Sequence, residues 1–299
     1  MTQLLNLFER APLLRKIHLR DAFPNSSDAP PGRVVFLPHL EYLTIAAQPI
    51  HTILLNHLSI PIGAALCQEF DFSDDKSPIP TYLPKTFKNL KNLSHITSIN
   101  LSFNSRTSLC FNGPGGMHYV DGNWIGITPR PHAVDRGLFQ FLTQLPISRT
   151  ERLAITQYTA SPPKRVEKST VYLTFLSMND LRILTLINCP NLPFILTLNP
   201  KKNTTETVVF PKLEELVLYI PNKDWFCINE ILEMAKERAS SGAELSTITI
   251  ISLEAFVPAK EVLKLKKHVS RVEYRLDDAI PEWDAIPTDA NGTGYESDW

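Results

Sequence analysis

The sequence predicts an α/β fold: a right-handed solenoid whose curved parallel sheet carries helices on its convex side. Two observations predict it. A short aliphatic pattern recurs along most of the 299 residues, and the stretches between its copies carry helical periodicity. The composition agrees with both. Proline is plentiful at 24 and glycine scarce at 11, which suits many element boundaries and few long helices.

The pattern is L-x-x-L-x-L, with Ile or Val allowed. It runs as Leu14-x-x-Ile17-x-Leu19, Leu40-x-x-Leu43-x-Ile45, Ile96-x-x-Ile99-x-Leu101 and Leu181-x-x-Leu184-x-Leu186. Two more copies are Leu213-x-x-Leu216-x-Leu218 and Leu245-x-x-Ile248-x-Ile250. Weaker versions are Cys67-x-x-Phe70-x-Phe72, Thr150-x-x-Leu153-x-Ile155 and Val269-x-x-Val272-x-Tyr274. Successive starts lie 24–32 residues apart except for one gap of 54, twice 27, between residues 96 and 150. The gap implies one irregular unit after Leu101. Leucine-rich repeats run about 20–29 residues, so the array reads as leucine-rich-repeat-like with some longer return segments.

The physical meaning of the pattern is a strand. Side chains alternate faces, so the last two apolar residues point to one side and the first turns inward at the entry bend. One unit cannot bury them alone. Stacked units bury them in a continuous column beneath a parallel sheet, joined by right-handed crossovers. Each fully buried Leu or Ile contributes about 1.5–3 kcal/mol.

The return segments read as helices. Residues 50–58 carry apolar side chains at 50, 53, 54 and 58, and residues 137–145 place Leu138, Phe141, Leu142 and Leu145 on one face. The strongest helix spans Trp225 to Ala239, with the stripe Ile228, Ile231, Leu232 and Ala235, and Ser240-Ser241-Gly242 stops it. Another runs from Pro258 to Lys267, with proline suited to the first turn. Residues 105–130 break the rhythm. The turn signal Asn112-Gly113-Pro114-Gly115-Gly116 predicts a β-hairpin insertion, with Leu109 and Phe111 facing Met117 and Tyr119. Residues 159–170 read as a polar loop. From Asp277 onward seven acidic residues occur with no Lys or Arg. The solenoid is therefore assigned to residues 1–286, and residues 287–299 to an acidic disordered tail.

Charge and cysteine usage exclude several classes. The net charge of −1 gives no global attraction to nucleic acid or an anionic membrane. No run approaches the roughly 18 apolar residues of a membrane span, and Glu9 and Arg10 interrupt any secretory leader. Cys67, Cys110, Cys189 and Cys227 form no CxxC pair and stand among apolar neighbours. They read as buried thiols of a reducing compartment, so the expected location is intracellular, cytoplasmic or nuclear. The Asn-x-Ser/Thr sequons at Asn25, Asn92, Asn203 and Asn291 are then chance matches.

No cofactor, metal or catalysis is expected. His51 and His57 do not share a helix face, no HExxH or GxSxG occurs, and the glycine-rich turn lacks the Lys-Ser/Thr of a phosphate loop. Lys260, Lys264, Lys266, Lys267 and Arg271 read as a solvated helix edge without the interleaved aromatics of a nucleic-acid site. What the pattern does offer is a surface. The strand residues that avoid the core line the concave face: Lys16, His18 and Arg20, then Tyr42, then Glu69 and Asp71, then Asn100. Further along come Ile183 and Ile187, then Glu215, Val217 and Tyr219, then Ile251. The row passes from basic through acidic and polar to apolar, and its apolar end predicts a protein contact.

Several phrases carry a resemblance. Ala11-Pro12-Leu13-Leu14-Arg15-Lys16-Ile17, Leu37-Pro38-His39-Leu40-Glu41-Tyr42-Leu43 and Phe210-Pro211-Lys212-Leu213-Glu214-Glu215-Leu216 are similar to the repeat lines of fungal F-box/leucine-rich-repeat proteins. So are residues 51–61 and Ala279-Ile280-Pro281-Glu282-Trp283. The resemblance covers most of residues 5–286. In that family an F-box docks on the Skp-type adaptor of a cullin ubiquitin ligase, and the repeats present a substrate. This chain shows no Leu-Pro-x-Glu-type F-box opening. The resemblance thus implies a protein-substrate receptor, and a Skp-type adaptor as partner only if an F-box lies upstream. Two other readings stand beside it: a scaffold protein independent of any ligase, and an enzyme on a parallel β-helix, a fold with short turns and almost no helix.

Overall fold

The recurring triplets become strands of a single sheet in the computed structural model of the chain. It describes residues 1–20, 32–46, 52–71, 88–91, 93, 96–103, 106–113, 116–123, 142, 145, 147–156, 172, 174–189, 192–203, 208–221, 223, 226–255 and 259–277. The readings of residues 137–141, 159–170 and 278–299, and of the sequons Asn25, Asn92 and Asn291, lie outside them. The fold is α/β. Eleven strands are β1 (Lys16–Arg20), β3 (Tyr42–Ala46), β5 (Ala65–Asp71), β6 (Ser98–Phe103), β7 (Arg106–Gly113), β8 (Gly116–Asn123), β9 (Arg152–Thr156), β10 (Ile183–Ile187), β11 (Glu215–Ile220), β12 (Thr247–Ser252) and β13 (Arg271–Leu276). Their order is β1-β3-β5-β8-β7-β6-β9-β10-β11-β12-β13. A separate parallel pair joins β2 (Val35–Phe36) to β4 (Leu58–Ser59).

Neighbouring units stack without offset. Ile99, Leu153, Leu184, Leu216, Ile248 and Val272 stand opposite one another across six parallel strands, and Leu101, Ile155, Leu186, Leu218, Ile250 and Tyr274 form the next row. At the strand entries one carbonyl accepts two successive N–H groups of the next unit. Arg15, Thr97, Glu151, Arg182 and Glu214 all accept in this way, at 2.7–3.1 Å. Exposed ion pairs follow the same lateral line: Arg15–Glu41 at 3.4 Å, Arg182–Glu214 at 3.2 Å and Asp180–Lys212 at 2.6 Å. Such solvated pairs contribute about 0–1 kcal/mol each. They hold the unit-to-unit alignment more than they hold the fold.

One hydrophobic cluster runs through inward triplet residues from Ile17 to Val272, among them Leu43, Ile99, Leu153, Leu184, Leu216 and Ile248. The helices supply its other wall: Leu5 and Phe8 from α1 (Thr2–Arg10), Phe194, Ile195 and Leu198 from α3 (Leu192–Leu198), and Ile231, Met234 and Ala235 from α4 (Ile228–Ser240). Two further helices are α2 (Thr52–Leu55) and α5 (Ala259–Leu265). Helices therefore cover the face that holds the triplets, and the alternate strand residues point away from them.

The structure departs from the sequence reading in several places. The third unit begins earlier than the Cys67 triplet implies, because Leu66 and Gln68 stand opposite Leu43 and Ile45. Glu69 and Asp71 thus keep their face but lie at the far end of β5. The hairpin exists, with β7 and β8 antiparallel, but Leu109 and Phe111 stand opposite Val120 and His118 rather than Met117 and Tyr119. It is also no appendage. β8 pairs with β5 and β7 with β6, so the hairpin forms two strands of the main sheet. The helix expected over residues 50–58 ends at Leu55, and Leu58 passes into β4. Helix α3 was not anticipated. The buried stripe of α4 is Ile231, Met234, Ala235 and Arg238, with Ile228 and Leu232 only half-buried.

Arg238 explains that last shift. Its side chain is fully buried, and its two terminal nitrogens donate to the carbonyls of Val209 (2.8 Å) and Phe210 (2.9 Å). Phe210 is held at φ 52, a left-handed backbone that a bulky residue rarely adopts. The guanidinium thereby fixes the turn that leads into β11.

Candidate functional site

The side of the sheet opposite the helices presents three registered rows over β10 to β13. The first is Ile183, Glu215, Thr247, Arg271; the second Thr185, Val217, Thr249, Glu273; the third Ile187, Tyr219, Ile251, Arg275. These are the alternate residues of each triplet, so the same alternation that fills the core sets this surface. Ile183, Glu215, Val217 and Tyr219 are half-buried. Ile187 is fully buried and Ile251 only 7% exposed. Their expected role as exposed apolar contacts is therefore corrected. Both stand outside the main core cluster, buried on the sheet's other side. The apolar surface that remains open is Ile183, Val217 and the ring of Tyr219.

Charge frames this patch at its outer end. Glu273 bonds both Arg271 and Arg275. The Arg275 hydrogen bond, aided by the Arg271 charge, holds the Glu273 carboxyl below the usual carboxylate range. Neutral solution leaves Glu273 ionised. Burial pushes the Tyr219 phenol up, and Asp277 adds to the effect. Tyr274 donates to the Glu254 carbonyl at 2.9 Å and meets Ser252 Oγ at the same distance, which ties β13 to the end of β12. Tyr219, Ile251, Leu253 and Asp277 border a shallow crevice with room for about one water molecule.

At the opposite end of the sheet, Lys16 and His18 are exposed on β1 and Tyr42 is half-buried on β3. The His18 and Tyr42 rings lie 5.5 Å apart, tilted by 46°. Arg20, Glu69 and Asp71 are placed by strand position alone: Arg20 opposite Ala46, and Glu69 between Ala46 and Asp121. Asn100 sits on β6 opposite Cys110 and Ala154, and its Oδ1 is enclosed without a hydrogen-bond partner. The named residues thus share one face but not one site. Lys16, His18 and Tyr42 gather at one end, and Ile183, Glu215, Val217 and Tyr219 at the other.

Sequence reasoning missed the Arg271–Glu273–Arg275 triad. The signal was present, since these residues flank the recognised Val272-x-Tyr274 pair. Arg271 had instead been grouped with the lysines of the preceding helix. Comparison with protein-family models, curated proteins and solved structures finds no match for this chain. Among the described residues no group of three or more His, Cys, Asp or Glu is placed to hold a metal, and no helix is long and apolar enough to cross a membrane.

The thiols near the core are poor nucleophiles. Burial pushes the Cys227 thiol up to about 12, and Cys189 is buried with its S–H directed at the carbonyls of Ile155 (3.2 Å) and Ile187 (3.1 Å). Only the thiolate reacts, so at pH 8 about one Cys227 in ten thousand is reactive. Peptide mass spectrometry after brief iodoacetamide treatment of the native protein should find Cys227 and Cys189 unmodified. Rapid labelling of either would contradict this burial.

Proposed function

We propose that this chain is a protein-binding module, a leucine-rich-repeat-like solenoid that resembles the substrate-recognition part of an F-box ubiquitin-ligase receptor and performs no catalysis itself. The observation that carries the reading is the asymmetry of the sheet. Helices cover one face, and the other displays Ile183, Val217 and Tyr219 beside Glu215 and the Arg271–Glu273–Arg275 triad. An apolar centre with a charged rim is the composition of a protein contact. Helices such as α4 between successive strands also separate this architecture from a parallel β-helix.

A photo-crosslinking amino acid placed at Val217 should capture a discrete protein in cells. The same group at Leu263, exposed on helix α5, should not. Val217→Lys should abolish capture by a crosslinker at Ile183 while the variant stays folded. Equal capture from both faces, or capture that ignores Val217→Lys, would remove the support. Co-purification with a Skp-type adaptor separates the ligase receptor from a ligase-independent scaffold. Adaptor binding supports the former.

A further inference from the structure

Strand β1 begins the sheet, and among the described residues no strand pairs with its outer side. Parallel pairing decides which of its peptide groups are free. The Arg15 carbonyl accepts the Tyr42 N–H at 3.0 Å, and Lys16 stands opposite Tyr42. The peptide groups of Arg15, Ile17 and Leu19 therefore turn toward β3. Those of Lys16, His18 and Arg20 turn away from it, toward the open edge.

The three residues that offer this unused backbone are two cations and a histidine. Lys16 and His18 also expose their side chains. Among the described residues, Glu41 pairs with Arg15, and Glu9 binds Arg33 through both of its oxygens at 3.1 and 2.7 Å. Just before the strand, Leu13 is 74% exposed and Leu7, on α1, 58% exposed. This edge rejects its own copy, because pairing β1 with β1 sets Lys16, His18 and Arg20 against like residues. It suits a strand of opposite sign.

We propose that β1 is a docking edge for an acidic segment of a partner protein, which adds to the sheet as an extended strand. Main-chain hydrogen bonds to residues 16, 18 and 20 supply the pairing, and the exposed Lys16 selects a carboxylate side chain. Leu13 receives an apolar residue of the partner. This contact is separate from the Val217 surface, so either can fail without the other.

The test uses the full chain and a short fluorescein-labelled peptide of alternating valine and glutamate, read by anisotropy. A valine–lysine peptide is the control. The wild type should bind the acidic peptide, more weakly as salt rises, and ignore the basic one. His18→Pro removes an edge-facing N–H but no bond to β3, and proline is tolerated on an edge strand. It should weaken binding about tenfold. Lys16→Glu with Arg20→Glu provides a second arm that leaves the strand backbone unconstrained and should turn the preference toward the basic peptide. Val217→Lys should bind the acidic peptide as the wild type does. Hydrogen exchange at residues 16–20 should slow when the peptide is bound. No binding by the wild type, unchanged binding by both edge variants, or a concentration-dependent dimer abolished by His18→Pro would each overturn the proposal.

Discussion

Replacing Arg238 with methionine should destabilise the protein by about 3 kcal/mol, read as a lower urea midpoint at unchanged slope. The side chain donates to two carbonyls, and the two are not equivalent. The Phe210 carbonyl also accepts the Leu213 N–H at 3.0 Å. The Val209 carbonyl has no other donor among the described bonds, so methionine leaves it buried and unpaired. The substitution also releases the left-handed turn at Phe210. An opposing effect limits the loss. Burial pulls the guanidinium down to about 10, so the group remains charged at neutral pH. Its folded pKa lies below its unfolded one, so burying the charge opposes folding at every pH below about 10, and that penalty is relieved only above it. The hydrogen bonds outweigh it because they are charge-assisted and enclosed. Arg238→Lys, which keeps one donor to one carbonyl, should recover part of the loss. An unchanged midpoint for the methionine variant would show that the two carbonyls find donors elsewhere.

Leu216→Ala should cost a further large amount, about 3 kcal/mol, while its neighbour Val217→Ala costs about 1 kcal/mol or less. Leu216 is fully buried between Leu184 and Ile248, so its removal leaves a cavity walled on both sides by neighbouring units. Val217 points the other way and is only half-buried. Side chains one position apart occupy opposite faces. The contrast between the two midpoints therefore tests the register directly. Equal losses, or a greater loss at Val217, would mean that β11 is set one residue out.

Much of this arrangement was legible in the triplets. Aligning their second positions reproduces the strand register across β6, β9, β10, β11, β12 and β13, because every inward position there is aliphatic or aromatic. The third unit was misplaced for a physical reason. Its inward register positions include Gln68, a polar residue, while Phe70 and Phe72 downstream imitate the expected pair. The hairpin faces were misassigned because the turn signal covers five residues and admits two registers. Pairing of Gly113 with Gly116 selects one of them. The α4 stripe was misjudged because a charged residue was not counted as core, although a guanidinium aimed at backbone carbonyls can be buried. Ile187 and Ile251 show the limit of periodicity. It states which face a side chain occupies, not what lies over that face. The two-residue strands β2 and β4 are too short to show any period.

The meander of β6, β7 and β8 has a mechanical meaning for the whole molecule. The chain leaves β5, crosses two empty positions to lay down β6, and returns through β7 and β8 to close the space. Among the described residues, no hydrogen-bonded strand pair joins residues before 72 to those after 150 except through these two returning strands. Excising them would leave two shorter sheets with bare margins, three strands wide on one side and six on the other. The hairpin is thus the hydrogen-bonded link between the two parts of the sheet, while a single hydrophobic cluster spans both.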